Sequence, residues 1–222
     1  VEASGLPSTR YCATLNNYEN RVYEVELDLD HAEHKTLSSR RRVIKFYRPR
    51  RWTKDQIAEE HQFLQELLDA EVPVIAPEKF PDGKTLHTLQ PEQEDSDPIY
   101  YALFPKVGGR APEEWVDPAM RETLPRLGRL LARIHTVGAA HPPQHRKRLD
   151  PTTYGLEPLK FLLDGGFLPL ELKKQYEETV LALIERITPR FNALAPNKWH
   201  RVHGDCHPGN LLWNDQGPFF LD

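Results

Sequence analysis

Cysteine and long apolar runs are both scarce in this 222-residue chain. The two cysteines, Cys12 and Cys206, are too few for a disulfide framework, so a reduced, cytoplasmic compartment is expected. No apolar run approaches the roughly 20 residues that a membrane span needs, and no charged and apolar leader opens the chain, so neither a membrane nor a secretory route is expected. Acids and bases are interspersed, with a net charge of −4, and the absence of a basic stripe argues against nucleic acid as the main ligand.

The composition is that of a folded protein, with 39% hydrophobic and 28% charged residues. A chain of this length can build one sizeable core or two lobes that share a cleft. The 20 prolines are scattered and form no low-complexity tract, and no internal repeat is visible. A monomer is expected.

The most informative segment is 203–210, which reads H-G-D-C-H-P-G-N. Asp205 lies in a loop broken by glycine and proline, Asn210 follows it, and an apolar strand then ends in a second acid, Asp222. Phosphoryl transfer needs a residue that orients the attacking hydroxyl and metal ligands that neutralise the phosphates. Asp205 is therefore the predicted catalytic base. Asn210 and Asp222 are the predicted Mg²⁺ ligands, because amide and carboxylate oxygens suit this ion, and Asp222 is also a predicted catalytic residue.

The pattern H-G-D-x-H-x-x-N resembles the aminoglycoside phosphotransferase and choline kinase-like branch of the protein kinase superfamily. Other segments resemble the bacterial stress-response kinases of this branch, and they occur in the same order along the chain: 17–23, 45–49, 59–63 and 104–110. The resemblance implies an enzyme that uses ATP and Mg²⁺ to phosphorylate protein serine or threonine. The alternative acceptor is a small hydroxyl-bearing molecule, since the same catalytic residues serve both.

The resemblance also implies a two-lobed α+β fold of the protein kinase type. An N-terminal lobe of residues 1–104 is expected to hold an antiparallel sheet and one helix. A hinge at 105–110 and a mainly helical lobe at 111–222 follow. The family continues with further helices, so the C-terminal lobe is expected to be truncated at Asp222.

Local patterns of apolar and turn residues predict the individual elements. They are a hairpin over 11–29, a polar loop over 30–40, a strand over 41–47, a helix from 53 to about 70, two short strands within 80–98, a strand over 99–104, and helices over 117–135, 159–163 and 171–191. Four apolar residues of the last helix are predicted to be core: Val180, Leu183, Ile184 and Ile187.

Lys45 lies inside a predicted apolar strand, where a lysine must either reach water or find an anion. On the helix from residue 53, Glu60 falls in the middle of an apolar face, and a buried acid needs a partner. This face comprises Ile57, Phe63, Leu64, Leu67 and Leu68. A Lys45–Glu60 ion pair is therefore predicted, and the resemblance assigns Lys45 to the nucleotide phosphates. Alternatively, Glu60 lies at the edge of the face and reaches water.

The resemblance assigns four more residues to the nucleotide. Asn17 and Asn20 lie in the turn of the first hairpin, which contains no glycine, and asparagines there can still face phosphates. Without the resemblance, this segment is an ordinary polar turn. Phe104 directly precedes the predicted hinge and Lys106 lies in it, and the main-chain groups of the hinge are expected to bind adenine.

Within the loop, His207 is predicted to donate a hydrogen bond to the γ-phosphate, and His203 is expected to pack. Cys206 is expected to be a packed thiol. A rival interpretation is a zinc site, since His203 and His207 are four residues apart. Gly204 and Pro208 argue against the helix that such a site requires, and no glutamate is placed as a base. A second rival, an inactive kinase fold, is disfavoured because the lysine, the base and the metal ligands are all present.

Overall fold

The computed structural model describes residues 4–15, 17–30, 33–92, 96–111, 120–195 and 198–221. The chain forms two compact units. One comprises Val1–Ala140 together with Val202–Asp222, and the other comprises His141–Arg201. The lobe and hinge boundaries remain a prediction.

The first unit contains a five-stranded antiparallel sheet in the order β1-β2-β3-β5-β4. Its strands are β1 Ser8–Leu15, β2 Arg21–Leu27, β3 Arg41–Phe46, β4 His87–Leu89 and β5 Ile99–Pro105. The predicted first hairpin is confirmed by the β1–β2 pair. Of the two strands predicted within 80–98, the described residues form only β4. Residues 80–84 form a turn, in which the Phe80 amide donates to the Lys84 carbonyl and Gly83 takes a φ of 83°.

The register of the sheet determines which residues share a face, because cross-strand partners point to the same side. Lys45 of β3 lies opposite Val22 of β2 and Ala102 of β5. Glu24, Val43 and Phe104 are paired in the same way and share this face. The other face packs into its own cluster of buried residues: Val25, Ile44, Phe80, Tyr101 and Leu103.

The helices are α1 Leu37–Arg40, α2 Lys54–Asp69, α3 Met120–Ala140, α4 Glu157–Asp164 and α5 Leu170–Asn192. The short α1 lies where a loop was predicted, and it forms because Thr36 and Ser39 cap each other's main chain. The predicted start of α2 is confirmed, since Thr53 and Gln56 form a capping box. The predicted start of α3 lies outside the described residues.

The buried face of α2 differs from the predicted one. Its buried residues are Ile57, His61, Leu64 and Leu67. Leu68 is 41% exposed, so its assignment to the core was wrong, and Glu60 is half-buried. The buried polar residue of this face is therefore His61, which the core tolerates because hydroxyl groups hydrogen-bond both ring nitrogens.

A second hairpin, β6 Leu211–Asn214 and β7 Gly217–Phe220, belongs to the first unit. Phe220 joins it to the segment after α2, because its amide donates to the Pro73 carbonyl and its carbonyl accepts from the Ile75 amide. Leu211 and Phe220 pack in one cluster with apolar residues of α2 and α3. This packing fixes the position of segment 203–210, which leads into β6.

The second unit contains a π-helical turn at Thr152–Leu156, followed by α4 and α5. No residue of α5 is buried, and Leu183 and Ile187 are 54% and 39% exposed. The prediction that these two are core was wrong, and the residue of α5 that lies against Gly155 of the π-helical turn is the half-buried Ile184. None of the described helices is long and apolar enough to cross a membrane.

Candidate active site

The turn of the first hairpin is held by asparagine side chains in place of glycine. The Asn17 carbonyl oxygen accepts hydrogen bonds from the amides of Glu19 and Asn20, at 3.1 and 2.7 Å. The Asn20 carbonyl oxygen in turn accepts from the Arg48 amide at 3.2 Å. Both asparagines therefore shape the turn and attach it to the loop after β3. Their contact with a nucleotide remains a prediction.

Lys45 is 8% exposed, and its ammonium nitrogen lies 4.9 Å from the centre of the Tyr47 ring. The Tyr47 hydroxyl lies 2.9 Å from Nε2 of His61. Burial, aided by the charge of Lys45, lowers the pKa of His61 to about 4, so its ring is neutral at pH 7. The Lys45–Glu60 ion pair remains a prediction.

Sequence reasoning missed His61 as a member of this site. Its Nδ1 atom lies 2.9 Å from the Thr85 hydroxyl, and its ring is 6.2 Å from that of Phe104. The available signal was its spacing, four residues after Ile57 and three before Leu64. A polar side chain at that spacing lies in the apolar face and needs partners.

The predicted hinge is attached to the sheet through Lys106. Its ammonium nitrogen lies 2.7 Å from a carboxylate oxygen of Glu24, and Arg41 bonds the other oxygen. The Lys106 hydrogen bond is the main reason why the pKa of the buried Glu24 carboxyl lies below its usual range. Sequence reasoning missed Glu24. The contact of Lys106 with a nucleotide remains a prediction, and so does that of the buried Phe104.

The segment after Lys106 pairs with β6. Arg110 and Trp213 exchange main-chain hydrogen bonds of 3.0 and 2.7 Å, and the side-chain nitrogen of Asn214 donates to the Gly108 carbonyl at 2.8 Å. Gly109 between them has no room for a side chain, because a Cβ atom would lie 3.0 Å from the Trp213 oxygen. The predicted hinge is therefore joined by hydrogen bonds to β6, the strand that follows the predicted catalytic loop.

In segment 203–210, Asp205 follows Gly204, whose φ of 83° suits glycine. The side chain of Asp205 is 78% exposed. The side-chain nitrogen of Asn210 donates to the main-chain oxygen of Asp205 at 3.0 Å and to its carboxylate at 3.3 Å. The His203 ring packs 5.9 Å from that of Phe220. The structure thus brings together the predicted base and one predicted metal ligand.

His207 also helps to build the loop. Its Nδ1 atom accepts the Gly209 amide hydrogen at 3.0 Å and caps the 3₁₀ turn Pro208–Asn210. In the neutral ring, the proton is therefore on Nε2, which lies 3.7 Å from the carboxylate of Asp205. That placement is compatible with donation to a phosphate, which remains a prediction.

The ligand that the loop offers to a metal ion is an amide oxygen, and the choice of Mg²⁺ over Zn²⁺ remains a prediction. Because Asn210 donates through its nitrogen, its side-chain oxygen is the atom suited to bind Mg²⁺. Asp222, predicted as a second ligand and as a catalytic residue, lies outside the described residues. Among the residues that are described, no three or more His, Cys, Asp or Glu side chains form a group that could hold a metal ion.

Cys206 is exposed, so the prediction of a packed thiol was wrong. The loop turns back at Pro208, which leaves the side chain of Cys206 outside the apolar cluster. Partial desolvation and the neighbouring Asp205 carboxylate raise the pKa of the Cys206 thiol. The thiolate, which is the reactive form, is thereby disfavoured.

The sequence model of the phosphotransferase enzyme family matches residues 13–222, and the chain belongs to this family. It is 41% identical over 212 residues to stress response kinase A of Escherichia coli strain K12. It is 39% identical over 208 residues to the serine/threonine protein kinase RdoA of Salmonella typhimurium strain LT2. Each match covers 94% of this chain and 56% of the relative, so the chain spans about half the length of these curated relatives.

Solved structures are similar in fold. The amicoumacin kinase hAmiN, in complex with AMP-PNP, Ca²⁺ and Ami, has a TM-score of 0.73 at 20% identity, covering 100% of this chain and 61% of that one. The microcompartment-associated aminopropanol kinase has a TM-score of 0.63 at 20% identity, covering 96% and 63%. These likenesses confirm the predicted kinase-like α+β fold.

Proposed function

We propose that this chain carries the nucleotide-binding and catalytic elements of an ATP- and Mg²⁺-dependent kinase that phosphorylates serine or threonine hydroxyls of proteins. The observation that supports it most directly is the pair of hydrogen bonds from Asn210 to Asp205. This pair places an exposed carboxylate beside an amide oxygen suited to Mg²⁺, which is the combination that phosphoryl transfer requires.

Each residue has a defined part in the proposed reaction. Asp205 orients the acceptor hydroxyl and takes its proton as the oxygen bonds to the γ-phosphorus, while the bond from that phosphorus to the β–γ bridging oxygen breaks and ADP leaves. Asn210 and Asp222 would hold Mg²⁺, which neutralises phosphate charge when bound. Lys45 and the turn of Asn17 and Asn20 bind the phosphates.

The choice of protein as acceptor rests on the curated relatives. One of them is named as a serine/threonine protein kinase, and at 39% identity it is nearer in sequence than the small-molecule kinases at 20%. The second candidate, a small-molecule kinase, is favoured by the amicoumacin and aminopropanol kinases among the structural neighbours.

The test is transfer of a labelled γ-phosphate from ATP by the full-length protein, alone and with generic protein acceptors. Asp205→Asn is expected to lower the rate by at least about a hundredfold, since it removes the general base. Asp215→Asn is the matched control, because Asp215 is an exposed aspartate in the turn between β6 and β7. Its rate is expected to equal that of the wild type.

The possible results separate the proposals. Label on serine or threonine that depends on Asp205 supports a protein kinase. ATP consumption without labelled protein would overturn the protein acceptor, and a screen of small alcohols and amino alcohols would follow. Undiminished transfer by Asp205→Asn would exclude Asp205 as the base.

A further inference from the structure

We propose that Tyr47 and His61 form a buried positioning pair that holds the Lys45 ammonium group and helix α2 in the arrangement that binds nucleotide. The inference rests on the proposed function, because it takes Lys45 to meet the nucleotide phosphates. It assigns a role to two residues outside the predicted site.

Tyr47 contacts Lys45 and α2 with different parts of its side chain. The two residues are two apart along the same extended segment, so their side chains point to the same face of the sheet. The ring lies 4.9 Å from the Lys45 ammonium nitrogen, and the hydroxyl lies 2.9 Å from His61. A cation over an aromatic face is stabilised electrostatically. Tyr47, which is 3% exposed, therefore connects the position of the ammonium group to the helix.

His61 connects α2 to three other parts of the unit. Besides Tyr47 after β3, it contacts Thr85 before β4 and Phe104 on β5. It is 4% exposed and directly follows Glu60. A neutral imidazole has one donor and one acceptor, and the hydroxyl groups of Tyr47 and Thr85 complement both, which fixes the orientation of the ring. A displacement of this ring would move α2 relative to Lys45 and Phe104 together.

Tyr101 is a control that distinguishes a role of Tyr47 in positioning Lys45 from a role in overall stability. Tyr101 lies on the opposite face of the sheet and is also buried, at 8% exposure. Its hydroxyl lies 2.8 Å from the Ser4 hydroxyl and 3.2 Å from Nδ1 of His87. Removing the Tyr101 hydroxyl breaks hydrogen bonds similar to the one that the Tyr47 hydroxyl makes. The partners of Tyr101, however, lie outside the predicted nucleotide site.

The experiment measures the dissociation constant of Mg·ATP by calorimetry for the full-length protein and its variants, together with their melting temperatures. Tyr47→Phe keeps the ring beside Lys45 and removes the bond to His61, so ATP binding is expected to weaken by about fivefold. Tyr101→Phe is expected to lower the melting temperature to a similar extent and to leave ATP binding within about twofold of the wild type.

A double-variant cycle tests whether the two residues act as a pair. His61→Gln alone, and His61→Gln with Tyr47→Phe, are expected to weaken ATP binding to the same extent, because either change removes the same link. If His61→Gln does not fold, Thr85→Val takes its place, since it removes the other bond that orients the ring.

Two results would overturn the inference: wild-type ATP affinity in Tyr47→Phe, or an equal loss of affinity in Tyr101→Phe. Additive effects of Tyr47→Phe and His61→Gln would show that they do not act as a pair. A wild-type protein that does not bind ATP would instead refute the proposed function. One that binds ATP and labels no protein would refute only the protein acceptor, and the affinities would still test the pair.

Discussion

The side-chain nitrogen of Asn210 lies 3.0 Å from the main-chain oxygen and 3.3 Å from the carboxylate of Asp205. The two residues with separate predicted roles, metal ligand and base, are thus held together by direct hydrogen bonds. A change at either one will alter the other. A variant of Asn210 must therefore be measured in two ways: its Mg²⁺ requirement reports on metal binding, and its rate at saturating Mg²⁺ reports on the orientation of the base.

Asn210→Ala removes both the predicted metal ligand and the donor to Asp205. The Mg²⁺ concentration for half-maximal activity is expected to rise at least about tenfold, and the rate at saturating Mg²⁺ is expected to fall as well. Activity of the full-length protein against free Mg²⁺, after removal of metal by chelation, measures both. Asn192→Ala, at the exposed end of α5, is the control. An unchanged Mg²⁺ requirement in Asn210→Ala would contradict the assignment.

Gly109→Ala should destabilise the protein because its Cβ would lie 3.0 Å from the Trp213 oxygen and 3.2 Å from the Leu212 Cβ. Forcing these backbones apart is expected to lower the free energy of unfolding by about 1–3 kcal/mol. Gly108→Ala is a matched control, because a Cβ at Gly108 meets nothing within 4 Å. Urea unfolding measures both variants. Equal stability of the two would show that close approach at Gly109 does not matter.

Glu24→Gln should weaken the attachment of Lys106 and Arg41 to the sheet. The folded state lowers the pKa of Glu24, so this carboxylate stabilises the fold above about pH 4.3, where it titrates in the unfolded chain. Its contribution is lost as the pH falls through the lower, folded pKa. At neutral pH the variant is expected to lose about 2 kcal/mol, allowing for partial exposure of the two cations.

Urea unfolding from pH 7 to pH 3 tests this expectation. The difference between the wild type and Glu24→Gln should be largest near neutrality and should shrink below about pH 4. Glu178→Gln is the control, because Glu178 forms only a surface pair with Lys174, at 3.8 Å. A constant difference at every pH would mean that the charge of Glu24 contributes nothing.

His61 should make the free energy of unfolding depend on pH over a higher range than Glu24 does. Its pKa falls to about 4 in the folded state, from about 6.5 when unfolded. Between these values the unfolded chain binds a proton that the folded chain does not, so stability falls as the pH is lowered from 6.5 to 4. The loss from this residue is on the order of 3 kcal/mol.

His61→Gln should remove that part of the pH dependence, although the variant is less stable throughout. Stability measured at half-unit steps of pH shows the slope. His135→Gln, which changes an exposed histidine on α3, should keep the slope of the wild type. An undiminished slope in His61→Gln would place the acid sensitivity elsewhere.

The elements that the sequence predicted correctly are those set by neighbours along the chain. The start of α2, where the structure shows Thr53 and Gln56 forming a capping box, and the first hairpin each depend on a few consecutive residues. Segment 203–210 was singled out by its pattern of consecutive residues, and the roles of its side chains remain predictions. Such local rules need no knowledge of the rest of the fold.

The features that sequence reasoning missed depend on distant parts of the chain. Leu183 and Ile187 have the spacing of a buried face, but spacing does not show what covers a face. The partner of Lys106, Glu24, comes from another strand. On α2, His61 is buried because Tyr47 and Thr85, from other parts of the chain, hydrogen-bond its ring, and the spacing of apolar residues on the helix does not show these partners.

The compact unit that contains the sheet is discontinuous in sequence, since Val202–Asp222 joins Val1–Ala140 across the intervening unit. During synthesis, the sheet and α2 leave the ribosome before the hairpin that contains Phe220 exists. Phe220 follows Pro105, the last residue of β5, by 115 residues, and at about 5–20 residues per second the delay is roughly six to twenty-three seconds. Through that interval the apolar surface that receives Leu211 and Phe220 is uncovered. The nascent chain is therefore a candidate client for chaperones until segment 203–210 and the hairpin after it have been synthesised.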